Sequence, residues 1–561
     1  MGEIYIVNDQ ANTFTKKIID ELKVKSLDFH ELVDEPETDG FIIPKFQKNK
    51  IDKILIPVSL GETPNNQIGF KLGLHIRFSN EISDDYLVPI IFISDKSLET
   101  LLLSRNEKYP LIAVTEGCLL CPEDLDEIRA NLYAIQPLRT ENYLNVLNNL
   151  IINKPETMGP HSLANEWGVY QLDRVAKLAS LSTTAPAYLK SKTLYFKYLR
   201  AKNSAIALAL ARQAATGSAG VGSPAQLAGP NTIDAIRKKI LYIDDEGFKG
   251  WTSALSVIFK GGTVMSITGD GLSETEFFKR IRDEIGKDWD LILLDLRLLP
   301  LKEDIAGIVL PIDRYSGTEI LREIKARNEG TQVIIFTASN KAWNMKQLLA
   351  LKADGYYIKE SPEYLIPDDL SLKNYEAFKE QVKVCFDRIY LKSIFTAHQN
   401  AIAQTTFTDA GFLTFSEFGL KRSFELIRLE MFEAAYMNYF QIIENYNEIV
   451  FDSNAKSIVD LTGTTIHAKT GSTYHMTFHA DTVNGNYLEK LDTNASLQYA
   501  TLTKLSFIMA FKFSKDDTYL RKVGTLVKIR NDIAHTGTSA LLDVSNFFDL
   551  IPIIHLFRAN M

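Results

Sequence analysis

Ile240-Leu241-Tyr242-Ile243-Asp244-Asp245-Glu246 decides how the middle of this chain folds: an unbroken apolar run that ends in acids. Three similar runs follow. Leu291-Ile292-Leu293-Leu294 ends in Asp295, Val333-Ile334-Ile335-Phe336 ends in Thr337-Ala338-Ser339, and Gly355-Tyr356-Tyr357-Ile358 ends in Lys359. Apolar runs of this length, without polar alternation, read as strands covered on both faces, as in a parallel sheet. Helical periodicity fills intervals between them, at residues 273–287 and 317–327. Strand–helix alternation predicts a doubly wound α/β domain with its active groups at the carboxyl ends of the strands. Every polar residue just named lies at such an end, so the set is expected to converge on one cleft.

The chemistry of that cleft follows from its residue types. Three carboxylates held together repel unless a hard cation sits among them. Mg2+ suits them, because it takes one or two carboxylates and fills its remaining positions with water and phosphate oxygens. One carboxylate is then free to attack phosphorus and form an aspartyl-phosphate. An ammonium and a hydroxyl nearby stabilise the new phosphoryl oxygens. With four groups in order at four strand ends, residues 238–360 resemble a response-regulator receiver domain. The resemblance implies that Asp295 is the phosphoacceptor. It implies Mg2+ held by Asp244, Asp245 and Asp295 with the backbone carbonyl of Arg297, and phosphoryl contacts from Thr337 and Lys359. Tyr356 matches the aromatic that changes rotamer on activation. Two features depart from the family. The loop at 296–316 is longer than the usual turn and reads as a surface excursion, and Lys359 is followed by Glu360-Ser361-Pro362, with the proline displaced.

At 561 residues the chain has room for about three or four domains, and 45% apolar residues are enough for packed cores. A net charge of −8 argues against a generally basic nucleic-acid coat while leaving room for a local basic site. Cys118 and Cys121 form a single C-x-x-C and Cys385 stands alone. That pattern predicts no disulfide framework; the paired thiols read as half-buried residues near a strand end, and a reducing cytoplasm is the expected location. Neither a signal sequence nor an apolar run long enough to span a bilayer is present.

Residues 1–155 repeat the α/β order. Ile4–Val7 ends in Asn8-Asp9, and 51–58, 88–94 and 111–115 read as further strands. The position matching Asp295 is about Pro57, which can neither accept phosphate nor donate a backbone hydrogen bond, and no lysine ends the last of these strands. A degenerate receiver-like domain used for pairing or docking is expected here. Residues 156–214 read as a helical connector, in which Trp167 and the aromatic cluster at 195–198 belong to the core. Residues 215–235 contain the small-residue run Thr216-Gly217-Ser218-Ala219-Gly220 and read as a flexible linker. The receiver occupies 236–370.

Residues 371–561 turn helical. Patterns at 372–397, 415–447, 486–513, 518–535 and 544–557 predict a bundle, with a β-hairpin inserted at 464–482. Three histidines of that insert, His467, His475 and His479, are read as solvent-facing or core residues and not as metal ligands. The 518–535 helix closes with Arg530-Asn531-Asp532-Ile533-Ala534-His535-Thr536-Gly537. Asn531 and His535 share a helix face, Arg530 can reach it, and Gly537 is a helix stop. Polar groups on a buried helix end are costly to place without a use. The motif resembles the R-x4-H of HEPN ribonucleases. That resemblance implies metal-independent RNA cleavage by 2′-OH attack with a 2′,3′-cyclic phosphate product. His535 would be the general acid or base, Arg530 the charge stabiliser and Asn531 the orienting group, in a site composed across a homodimer. Lys512, Lys515, Arg521, Lys522 and Lys528 precede the motif and could attract RNA phosphates. Gly537 stands where the family's toxin branch carries a tyrosine.

The combined expectation is an α/β plus all-α chain in which a sensor histidine kinase or other phosphodonor controls a HEPN endoribonuclease, in prokaryotic defence or stress response. The alternative is a non-catalytic adaptor that dimerises on phosphorylation. A DNA-binding output ranks last, because no helix-turn-helix with a basic recognition helix is visible.

Overall fold

The computed structural model describes the chain except residues 1–2, 10–11, 31–34, 62–65, 105–106, 155–159, 179–191, 217–230, 300–302, 304–310, 339–348, 362–365, 367, 456, 468–474, 482–484, 492–500 and 561. The chain forms two compact units: residues 1–321 with 333–383, and residues 322–332 with 384–561.

The first unit holds two five-stranded parallel sheets of identical topology. Strands Glu3–Asn8 (β1), Lys25–Asp28 (β2), Ile51–Pro57 (β3), Ile90–Ile93 (β4) and Cys118–Cys121 (β5) are ordered β2-β1-β3-β4-β5. Strands Lys239–Ile243 (β6), Thr263–Ile267 (β7), Leu291–Leu294 (β8), Val333–Thr337 (β9) and Gly355–Ile358 (β10) are ordered β7-β6-β8-β9-β10. The interior strands β4 and β8 are wholly buried, as their uninterrupted apolar sequences require. Between the sheets run two helices of the connector, Pro160–Ala176 and Leu194–Thr216. Trp167 and Phe196 from these helices stack at 5.6 Å and join the core of the first sheet. The Lys197 ammonium is sealed against that core and donates to Asp39 and to the carbonyl of His75. The 215–235 linker lies largely outside the described residues, and so do residues 300–302 and 304–310 of the loop after Asp295.

Several boundaries differ from the sequence reading. Residues 111–115 fall in a 3-10 turn, Tyr109–Val114, begun by Pro110, and the fifth strand is Cys118–Cys121. The two cysteines are therefore the first and last residues of that strand, at its ends as expected. Cys121 is buried, and burial pushes its thiol up to about 11.

The second unit is a helical bundle. Its helices are Tyr390–Ile402, Ala410–Arg428, Phe432–Val450, Thr501–Phe507, Asp517–Thr536 and Ser545–Ala559. Two helices expected to be continuous are broken. The 372–397 pattern divides between Asp368–Asp387 and Tyr390–Ile402, and the 415–447 pattern breaks at Leu429–Met431, where Glu430 takes a φ of 59°. A residue in the left-handed region cannot continue a right-handed helix. The expected 486–513 helix is also corrected: Gly485–Leu491 is a strand, paired with His475–Asp481, and the helix begins at Thr501. A second, smaller hairpin pairs Ser457–Val459 with Thr465–His467. Burial of Tyr436, Tyr439, Phe440, Tyr446, Phe547 and Phe557 holds the bundle together. Arg558, almost fully buried, donates to the carbonyls of Ala401, Ile402 and Leu413, so its charge is satisfied by backbone oxygens.

Candidate functional site

The second sheet brings its polar strand ends together. The Asp295 backbone N–H donates to the Ile243 carbonyl at 2.9 Å, which places Asp295 beside Asp244. The Lys359 N–H donates to the Thr337 carbonyl at 2.7 Å, so those two residues are neighbours on the adjacent strands. One carboxylate oxygen from each of Asp244, Asp245 and Asp295 lies within 4.8 Å of the others. Such an all-oxygen donor set fits a hard divalent cation.

Lys359 neutralises this cluster. Its ammonium lies 3.1 Å from Asp295 Oδ2 and contacts Asp244 Oδ2. Burial opposes its charge, but the Asp244 and Asp295 carboxylates outweigh that penalty and hold its pKa above the ordinary lysine value. The floor is aromatic, with the ammonium 5.5 Å from the Phe336 ring centre and 5.9 Å from that of Tyr242. The Tyr242 hydroxyl donates to Asp244 Oδ2 at 2.5 Å, and the Glu246 N–H donates to Asp244 Oδ1 at 2.8 Å. Burial, reinforced by Asp244, raises the Tyr242 phenol well above its ordinary pKa, so it stays a donor. Asp244 is thus fixed by Tyr242, the Glu246 N–H and Lys359. The Arg297 N–H points at Asp295 Oδ1, 3.4 Å away. Tyr356 is half-buried, with its N–H donating to Gln381 Oε1 at 2.7 Å.

Asp244, Asp295 and Lys359 are all 0% exposed. Their cover includes a residue to which sequence reasoning gave no role. Asn165, on the Pro160–Ala176 helix, accepts from Lys359 Nζ at 2.9 Å and donates to Glu246 Oε2 at 3.2 Å. The one available signal was the polar pair Asn165-Glu166 inside an otherwise apolar helix face.

The first sheet repeats this backbone without the reactive groups. An ideal Cβ on Gly317 would lie 2.0 Å from the Asp295 carbonyl oxygen, and one on Gly69 would lie 2.1 Å from that of Pro57. The Gly317 N–H donates to Leu296 and the Gly69 N–H to Val58, both at 2.9 Å. Pro57 therefore occupies the Asp295 position, as the sequence reading placed it. Strand β5 runs into Pro122-Glu123, with no lysine.

In the bundle, the motif helix Asp517–Thr536 ends on Gly537 at φ 84°, as expected. Arg530 is half-buried, while Asn531 and His535 are exposed. The argument from a buried helix end therefore does not hold; the polar groups face outward and are cheap to place. Arg530 Nη2 donates to Glu444 at 2.7 Å and Nη1 to Asn531 Oδ1 at 3.2 Å. The basic run is partly engaged: Lys512 is buried and donates to the Val459 carbonyl, and Lys522 pairs with Asp549 at 2.5 Å. Strand Gly485–Leu491 packs along the motif helix. His467 is half-buried, with Nδ1 3.4 Å from the Ala455 carbonyl; the side chains of His475 and His479 lie outside the described residues.

Among the described residues, no helix is long and apolar enough to cross a membrane. Comparison with curated proteins finds no match. Among solved structures, a CheY-like response regulator receiver domain protein from Methanospirillum hungatei is 24% identical, over 26% of this chain and 98% of its own, with a TM-score of 0.17. A LuxR-family two-component response regulator from Aurantimonas is 19% identical, over 26% of this chain and 86% of its own, also with a TM-score of 0.17. A family model described as "Inactive Receiver domain" matches residues 4–121. The match falls on the N-terminal domain, where the sequence reading expected a degenerate receiver-like domain, and not on the central one, from which it drew the active-receiver resemblance. The HEPN resemblance rests on the Arg530–His535 motif alone. Residues 4–121 thus resemble an inactive receiver domain, with Pro57 where the central domain has Asp295.

Proposed function

We propose that the central domain accepts a phosphoryl group on Asp295 and that this event regulates an RNA-cleaving bundle. The observation that carries the first half is the convergence of Asp244, Asp245, Asp295 and Lys359 on one sheet end. In this reading an Asp295 oxygen attacks the donor's phosphorus while the bond from phosphorus to the donor's leaving atom breaks. Lys359 then contacts a phosphoryl oxygen in place of one of its present partners, with Thr337 beside it. Asp244, Asp245 and Asp295 would hold Mg2+, with the Arg297 carbonyl. The ion would supply charge neutralisation for the phosphoryl oxygens.

For the bundle, exposure of Asn531 and His535 with Arg530 beside them supports a HEPN-type endoribonuclease. The 2′ oxygen bonds to phosphorus, the bond to the 5′ oxygen breaks, and His535 takes the 2′ proton or supplies one to the 5′ oxygen. Imidazole suits either role near neutral pH. Arg530 would offset the charge of the pentavalent phosphorus, released in part from Glu444. The regulated species would be a homodimer, with RNA as substrate and a histidine kinase or acyl phosphate as donor. Incubation with tRNA and total RNA tests it: 2′,3′-cyclic ends should appear, and His535→Ala should remove them. Equal cutting by His535→Ala would end the nuclease assignment.

A second reading, a non-catalytic phospho-dependent adaptor, is favoured by one observation: Arg530 is already paired with Glu444. It expects no cleavage in any phosphorylation state.

A further inference from the structure

We propose that the Pro160–Ala176 helix is an internal lid on the acidic pocket, latched by Asn165, and that it reports pocket occupancy to the inactive receiver-like domain. The proposal rests on the phosphoacceptor reading of Asp295.

The helix has two working faces. Asn165, Gly168 and Gln171, three residues apart, face the central sheet. Asn165 bridges Lys359 and Glu246. An ideal Cβ on Gly168 would stand 3.1 Å from Trp251 Cζ2 and 3.4 Å from the Glu360 carbonyl, so the absence of a side chain allows the close approach. Gln171 donates to Asp368 Oδ1 at 2.9 Å and to Ser371 Oγ at 3.2 Å. The opposite face belongs to the first domain. Leu163 and Trp167 lie in the core of the first sheet, and the Tyr170 hydroxyl accepts from Arg200 Nη1 at 2.6 Å, with Arg200 paired to Glu81. Between Leu163 and Gln171 the helix thus touches both domains.

The latch follows from counting donors. A lysine ammonium has three N–H groups. Here they serve Asp244, Asp295 and Asn165. To hold a phosphoryl oxygen, Lys359 must give up one partner, and the neutral amide is the weakest of the three. Asp295 is fully enclosed, so an acyl phosphate cannot reach it without displacement of its cover. Phosphorylation and lid closure therefore compete. By linkage, whatever holds the helix against the first domain must change the free energy of phosphorylating Asp295, and phosphate on Asp295 must loosen the helix.

The test uses the full chain with Mg2+ and radiolabelled acetyl phosphate. Asn165→Ala is expected to label on the order of tenfold faster than wild type, from loss of one hydrogen bond to a charged group. Gln171→Ala should also accelerate labelling, although it touches no pocket residue, because it frees the same helix; a purely local role for Asn165 would leave it unchanged. Asp295→Asn should not label, and circular dichroism should show each variant folded. Labelling of Asn165→Ala at the wild-type rate, with Asp295→Asn silent, overturns the lid while the acceptor reading stands. Label on the variants but not on wild type supports it most strongly. No label on wild type or on either helix variant removes the acceptor reading and the lid with it.

Discussion

The ammonium of Lys359 stands 3.1 Å from Oδ2 of Asp295, with both side chains sealed from solvent. A buried ion pair of this kind is weak evidence of stability in itself, but breaking it from one side is severe. Lys359→Met removes the buried ammonium that contacts both Asp244 and Asp295. It is expected to destabilise the first unit by about 3–5 kcal/mol. Trp167, Trp251, Trp289 and Trp343 all belong to that unit and the second unit has none, so tryptophan fluorescence during urea unfolding isolates the transition. An unchanged midpoint would contradict the assignment of Lys359 as the cluster's counter-charge.

Mg2+ should substitute for part of what Lys359 supplies. Added Mg2+ is expected to raise the melting temperature of wild type and to raise that of Lys359→Met by more. Asp245→Asn, which leaves the Lys359 contacts intact, should abolish the response. A full response in Asp245→Asn would place the metal elsewhere.

The close approach at Gly317 sets a strict requirement. A methyl group there would meet the Asp295 carbonyl at 2.0 Å, and backbone cannot move aside as a side-chain tip can. Gly317→Ala should cost about 1–3 kcal/mol or more, and Gly69→Ala, over Pro57, should cost a similar amount. Because the second glycine guards no reactive group, equal penalties would show that the contact serves the fold and not phosphate chemistry. Thermal melts of the two variants make the comparison.

In the bundle, His398 is buried beside Tyr439, with Nε2 2.5 Å from the hydroxyl, and burial holds its pKa down at about 3. The unfolded chain takes up this proton near pH 6.5 and the folded bundle does not until near 3. Unfolded molecules therefore bind more protons across that window, and stability falls as pH drops through it, by up to ~1.4 kcal/mol per unit. Above pH 6.5 the contribution is complete. His398→Gln should flatten the acid limb measured by circular dichroism; an unaltered limb would place the sensitivity in other groups.

Much of the central site was legible because each reactive group closes an uninterrupted apolar strand: the ends of β6, β8, β9 and β10 could be read directly. The edge strand β7 escaped, since its sequence Thr263-Val264-Met265-Ser266-Ile267 is half polar and half exposed. Strand β5 was misplaced because the apolar segment near it is turned by Pro110. Glu430 broke a helix whose periodicity carries no warning, for a left-handed residue leaves the apolar pattern on either side intact. For Asn165 the sequence offered only a polar pair in a helix and nothing that named its partner. Its partner Lys359 is 194 residues away in sequence, and only the docking of a helix between two sheets brings them together. At the motif helix the sequence placed Arg530, Asn531 and His535 correctly on one helix end, but not the Glu444 carboxylate that holds Arg530.

The most direct measurement is the rate of RNA cleavage with and without acetyl phosphate and Mg2+, in wild type and in Asp295→Asn. Phosphate control through the central pocket requires that the donor change the wild-type rate and leave Asp295→Asn unmoved, with His535→Ala inactive throughout. A donor response of the same size in Asp295→Asn, or cleavage that survives in His535→Ala, would contradict it.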